Sequence, residues 1–107
     1  MARQLTMADC CSVLAAPISE GHADELAKAF AALADPVRLR LFSMIASAGT
    51  ACSCNLLEPI GKSQPTVSHH TKVLAEAGLI TGNKAGRWVN WSVVPGKLDQ
   101  LRAALTR

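Results

Sequence analysis

The chain has no tyrosine and only two Phe and two Trp among its 107 residues. Leu, Val, Ile and Ala must therefore fill whatever core it builds, and a thin core of that kind gains from a partner subunit. The length fits one domain, and a hydrophobic share of 50% argues against disorder. No apolar run approaches the ~20 residues of a membrane-spanning helix. The amino-terminal stretch also lacks the apolar centre of a signal peptide, since Asp9, Cys10 and Cys11 follow soon after Arg3. The expected location is the cytoplasm. Charge of one sign is in mild excess only: a net +3 and a pI near 8.9 leave the placement of the cations to decide the partner.

Catalytic patterns are absent as well. There is no Cys-x-x-Cys ahead of a helix, no phosphate-cradling glycine loop and no nucleophile with a matching base. An enzyme is not expected, nor an organic small-molecule substrate. The four cysteines fall in two tight clusters, Cys10-Cys11 and Cys52-Ser53-Cys54. In a reducing compartment free thiols or metal ligands are the expected state. Residues this close reach the α-carbon separation of a disulfide with difficulty. Thiolates are soft ligands that select As(III), Sb(III), Cd(II), Pb(II), Cu(I) and Zn(II) over hard cations. On a regular helix Cys52 and Cys54 point about 200° apart, so they meet at one ion only where the backbone is not helical.

Along the chain, residues 1–18 carry no periodicity and read as a flexible arm, and residues 19–107 as the folded domain. Leu26, Phe30 and Leu33 repeat at the spacing of a buried helical face. Asp35-Pro36 caps and starts a second helix to about Ala48, with Val37, Leu41, Met44 and Ile45 on one side and Leu39 and Phe42 widening the arc. A short helix from Cys52 or Ser53 to Glu58 is expected to stop at Pro59 and Gly61. Ser63 caps a fourth helix, residues 64–77, ended by Gly78. Two β-prone runs, 79–81 and 88–93, flank a polar hairpin loop at 82–87. Pro95 opens a fifth helix carrying Leu98, Leu101 and Leu105. The expected fold is mainly α with some β: a winged helix-turn-helix of five helices and a two-stranded wing. The first and last helices are expected to pack across a homodimer axis.

The fourth helix separates into two faces at about 100° per residue. Val67, His70, Val73, Leu74 and Ala77 gather on one. Gln64, Ser68 and Lys72 line up on the other, with His69 and Glu76 beside them. These polar groups are of the kind that reach base edges and phosphates in a major groove. Lys62, Ser63 and Thr66 crowd the helix N-terminus, where backbone N–H groups favour a phosphate. Lys84 and Arg87 at the wing tip are placed to grip the DNA backbone. A merely solvated face would have the same composition, but the short helix, the glycine turn and the basic hairpin together favour double-stranded DNA. Trp88 and Trp91 read most simply as structural.

Three segments resemble the ArsR/SmtB metalloregulators: Asp35-Pro36-Val37-Arg38-Leu39-Arg40-Leu41, Cys52-Ser53-Cys54-Asn55-Leu56 and Ser63-Gln64-Pro65-Thr66-Val67-Ser68-His69-His70. The resemblance covers about residues 22–94. It implies a homodimeric repressor that binds operator DNA and releases it when a metal or metalloid ion binds. Cys52 and Cys54 match the family's paired thiols, and Cys10 and Cys11 of one chain would complete the site on the other. The vicinal arm pair resembles arsenite sensors, so As(III) or Sb(III) is the implied inducer, with Cd(II), Pb(II) or Zn(II) as alternatives. A thiol redox sensor using the same cysteines is a further alternative. Thr71 departs from the family, which usually has Leu there. The family's other ion site, on the terminal helix, lacks its ligands, since residues 95–107 hold Asp99 but no His or Cys.

Overall fold

A computed structural model describes residues 12–106 of the chain. The order is α1 (Glu20–Leu33), α2 (Pro36–Ala48), β1 (Thr50–Cys52), a 3₁₀ turn (Ser53–Asn55), α3 (Leu57–Ile60), α4 (Gln64–Glu76), β2 (Ile80–Ala85), β3 (Trp88–Val93) and α5 (Pro95–Ala104). The winged helix-turn-helix expectation holds, with one strand more than foreseen.

Local chemistry sets the helix starts. Ser19 accepts the His22 amide at the head of α1. Asp35 Oδ1 accepts the Val37 and Arg38 amides at 2.9 and 3.1 Å at the head of α2, and Pro36 adds the fixed φ that suits a first turn. Gly49 closes α2 at φ 81°, and its N–H donates to Ile45 O at 3.1 Å. As expected, α2 is central: Leu41, Phe42 and Ile45 are buried. Leu39, counted into the same arc, is instead exposed. The core joins these side chains to Leu26 of α1, Leu74 of α4, Leu101 of α5 and the connecting residues Leu56 and Leu79.

The short helix differs from expectation. The chain leaves Cys52 extended, makes one 3₁₀ turn and only then forms α3, which runs through Pro59 to Ile60. Proline does not stop it because first-turn N–H groups have no intrahelical acceptor to lose. Gly61, at φ 72°, does.

The sheet is antiparallel in the order β1-β3-β2. The third strand was missed because it is three residues long, pairing Thr50 with Ser92, Ala51 with Trp91 and Cys52 with Asn90. The wing loop expected at 82–87 shrinks to two residues, since Gly82, Asn83, Lys84 and Ala85 all pair with β3. Gly86, at φ 65°, turns the chain ahead of Arg87, the placement a type II′ hairpin requires. Gly82 lies opposite Trp91 and leaves room for its ring: a Cβ there would stand 2.8 Å from Trp91 Cζ3.

Of the expected arm, residues 12–18 are described. Ser12 is buried, and the Val13 amide donates to Ala104 O of α5 at 2.8 Å. Cys10 and Cys11 lie outside the described residues.

Candidate nucleic-acid interface and thiol pair

The helix-turn-helix is α3, the Gly61–Ser63 turn and α4. Arg40 of α2 donates to Pro59 O at 3.1 Å, holding α3 against the rest. Arg38 fastens α4 from the other side. Its Nε donates to Ala32 O at 2.7 Å, near the end of α1, and its Nη1 donates to His70 Nδ1 at 3.3 Å. His70, which the sequence sets on the apolar face of this helix, is half-buried and held by Arg38, whereas His69 is exposed. Asp35, beside this junction, has its pKa held below the ordinary value. The Arg38 amide hydrogen bond is the main cause; burial opposes it, while the Val37 amide and the charges of Arg38 and His70 assist.

The inner face of α4 is Val67, Thr71 and Leu74, rotated slightly from the expected one, which had included His70 and Val73. Thr71, the departure from the family's usual Leu, is only 3% exposed. Its hydroxyl donates to Ser68 O at 3.0 Å, so the buried oxygen has a partner within its own helix.

All nine residues proposed to touch DNA are exposed: Lys62, Ser63, Gln64, Thr66, Ser68, His69, Lys72, Lys84 and Arg87. Four of them, Gln64, Ser68, Lys72 and Arg87, line one cleft of about 430 Å³ between α4 and the wing. The other five are not on its lining. Ser63 is occupied in starting α4, its Oγ lying 2.9 Å from Thr66 Oγ1 and accepting the Thr66 amide at 3.4 Å. Trp88 and Trp91, read from the sequence as structural only, line the same cleft. The Arg87 guanidinium sits 5.5 Å from the Trp88 ring, which holds the cation over an aromatic face at the wing tip. Two tryptophans in a chain so poor in aromatics were the available signal.

The thiol pair stands at the root of the wing. Cys52 and Cys54 were expected to be free thiols with awkwardly spaced α-carbons; the structure joins them in a disulfide with Cα atoms 5.2 Å apart, inside the usual range. The reason is the break between β1 and the 3₁₀ turn, which falls between them and removes the helical geometry that would aim the sulfurs apart. The Cys54 amide donates to Cys52 Sγ at 3.2 Å. Cys54 is exposed and Cys52 half-buried, so the pair is reachable from solvent. Reduced, it offers two thiolates to one soft ion. Among the described residues no group of three or more His, Cys, Asp or Glu is gathered for an ion. These two sulfurs alone fall short of the three that trivalent arsenic takes. Also among the described residues, no helix is long and apolar enough to cross a membrane.

Comparison with known proteins agrees with this geometry. The profile described as "Bacterial regulatory protein, arsR family" matches residues 35–81. An uncharacterised HTH-type transcriptional regulator of Methanocaldococcus jannaschii is 32% identical over 78 residues, 73% of this chain and 88% of that protein. The arsenical resistance operon repressor of Escherichia coli is 36% identical over 66 residues, 62% of this chain but only 56% of the repressor. Among solved structures, the AntR antimony-specific transcriptional repressor superposes with a TM-score of 0.69 at 27% identity, covering 81% of this chain and 79% of that one. These relatives are regulators rather than enzymes. A matching profile over the helix-turn-helix, a relative covered nearly end to end and a shared winged fold lead to one assignment: the chain belongs to the ArsR family of bacterial regulatory proteins.

Proposed function

We propose that the chain is a transcriptional repressor that binds operator DNA as a homodimer and releases it when As(III) or Sb(III) is captured by cysteine thiolates. The observation that carries this reading is the convergence of Cys52 and Cys54 directly ahead of the helix-turn-helix, between β1 and α3. An ion held there acts on the frame that presents α4. The third sulfur comes from Cys10 or Cys11, of the same chain or of its partner. Gln64, Ser68, Lys72 and Arg87 read and grip the DNA around the cleft, while Lys62, Ser63, Thr66, His69 and Lys84 add contacts along its edge. Resemblance to arsenical and antimony repressors supports this choice of ion over Cd(II), Pb(II) or Zn(II).

The side chains of Leu98 on α5 and Leu105 just past its end are exposed, as are Val13 and Leu14 beside the helix end. This apolar surface, together with α1, is the face assigned to the homodimer. Ion and DNA are then linked reciprocally, each weakening the other by the same factor. A mobility titration of operator DNA with arsenite, antimonite, Cd(II), Pb(II) and Zn(II) tests the reading. The double variant Cys52→Ser/Cys54→Ser is expected to bind operator as the parent does and to ignore arsenite. If it fails to bind DNA, the cysteines serve the fold and the sensing proposal is wrong. The disulfide favours one second reading, release by oxidation of the same pair; release by peroxide but not by arsenite would select it.

A further inference from the structure

Ser53 lies between the two sulfur-bearing residues, and its side chain leaves the thiol segment for the wing. Its Oγ accepts the Val89 amide at 3.1 Å, across 36 residues of chain. The position of this bond explains it. Strand β1 ends at Cys52, opposite Asn90 of β3, so no backbone of β1 remains for the next amide along β3 on that side. A ladder N–H partly shielded from water is costly to leave without an acceptor, and at this half-buried position the serine hydroxyl takes the place of the missing carbonyl. Ser53 also lines the cleft whose wall includes Trp88, Val89 and Trp91. The covalent path from one sulfur to the other therefore runs through a residue bonded to the wing.

Resting on the repressor reading above, we propose that Ser53 is the positioning residue that couples the state of the Cys52–Cys54 sulfurs to the wing. When the sulfurs exchange each other for an ion, the backbone on both sides of Ser53 turns. Its hydroxyl shifts on the Val89 amide, and β3 moves with the cleft wall that faces α4. The chemistry balances in two steps. A phosphine reductant takes an oxygen atom from water to become its oxide, and the two hydrogens of that water complete the two thiols. Each thiol then replaces one hydroxyl of arsenious acid and releases one water.

Both tryptophans of the chain lie on β3, so its indole emission reports this wall directly. The test compares the full chain with Ser53→Thr, which keeps the oxygen, and Ser53→Val, which keeps the shape without it. Emission is read in the disulfide form, after phosphine reduction and after arsenite, while sulfur-to-arsenic ultraviolet absorption counts captured ion. The parent and Ser53→Thr are expected to shift their emission on arsenite capture; Ser53→Val is expected to capture arsenite equally but shift at least threefold less. Equal shifts in the Thr and Val variants, or no shift in the parent, overturn the coupling. Should Ser53→Val not fold, hydrogen exchange at the Val89 amide of the parent decides, and identical protection in the disulfide and arsenite states overturns it. Operator release is scored separately. An emission shift without release sinks the repressor reading and leaves the coupling standing, whereas release with an undiminished shift in Ser53→Val does the reverse.

Discussion

Gly82 is where a single atom matters most in the wing. A Cβ at this position would meet Val89 Cγ1 at 2.6 Å and the Trp91 ring at 2.8 and 2.9 Å, closer than packed carbons come. Both neighbours are held in paired β3, so neither gives way freely. Gly82→Ala is expected to cost about 1–3 kcal/mol, the range for overpacking, and to alter Trp emission because the displaced ring is Trp91. Thermal unfolding checks the first effect and a fluorescence spectrum the second. Asp35 carries a pH signature of known sign. Its folded pKa lies below the ordinary 3.8, so the capping contribution is complete above that value and is lost as pH falls through it toward the folded pKa. Asp35→Asn keeps an oxygen for the Val37 and Arg38 amides but does not titrate. Acid titrations of stability are expected to show the parent losing more than the Asn variant below about pH 4.

At the scale of elements, α4 is held in register by Arg38, which reaches the end of α1 and the middle of α4 with different nitrogens. A lysine offers a point charge without that fork, and cannot satisfy both Ala32 O and His70 Nδ1 from the same position. Arg38→Lys is expected to lower stability by about 1–2 kcal/mol in urea unfolding, with little change in the slope, and to weaken DNA binding through the loosened seat of α4. Helices α1, α2 and α4 were legible in the sequence because each begins with a local instruction: Ser19, Asp35-Pro36 and Ser63 are caps whose partners lie within three residues, whereas α3 has no side-chain cap and its start was misplaced. The exposure of Gln64, Thr66, Ser68, His69 and Lys72, the five residues of α4 proposed to touch DNA, was legible for a related reason, since exposure on a helix follows its period. What escaped was non-local. Strand β1 exists only because β3 offers an edge forty residues later, and the wing extends to a two-residue turn only because β3 templates Gly82 through Ala85. The buried Thr71 escaped because its hydroxyl satisfies itself against Ser68 O, which composition does not reveal. Ser53 gave no signal at all, its partner being an amide in the wing.

Across the whole molecule, the thin core and the exposed leucines on α5 and at its end point to the same solution. Leu101 is 7% exposed and anchors α5 to its own domain, while Leu98 and Leu105, each within a turn of it, are 43% and 58% exposed. One helix thus presents two apolar faces, of which the described residues of the chain cover one; in the homodimer proposed above, a second copy of α5 would cover the other. Binding to DNA makes this countable. Each phosphate neutralised by Lys62, Lys72, Lys84 or Arg87 contributes about −0.9 to the slope of log affinity against log salt. A dimer that spans successive major grooves, about 34 Å apart, engages two such sets at once. Leu98→Glu places a carboxylate where the partner helix should pack but leaves Leu101, and hence the domain core, in place. The variant is expected to sediment as a monomer with parental helix content, and to bind operator with about half the parental salt slope. Arg87→Ala in the parent is expected instead to keep the dimer and lower the slope by about two, one phosphate contact per subunit. A Leu98→Glu protein that remains dimeric and retains the full slope would place the subunit contact elsewhere than on α5.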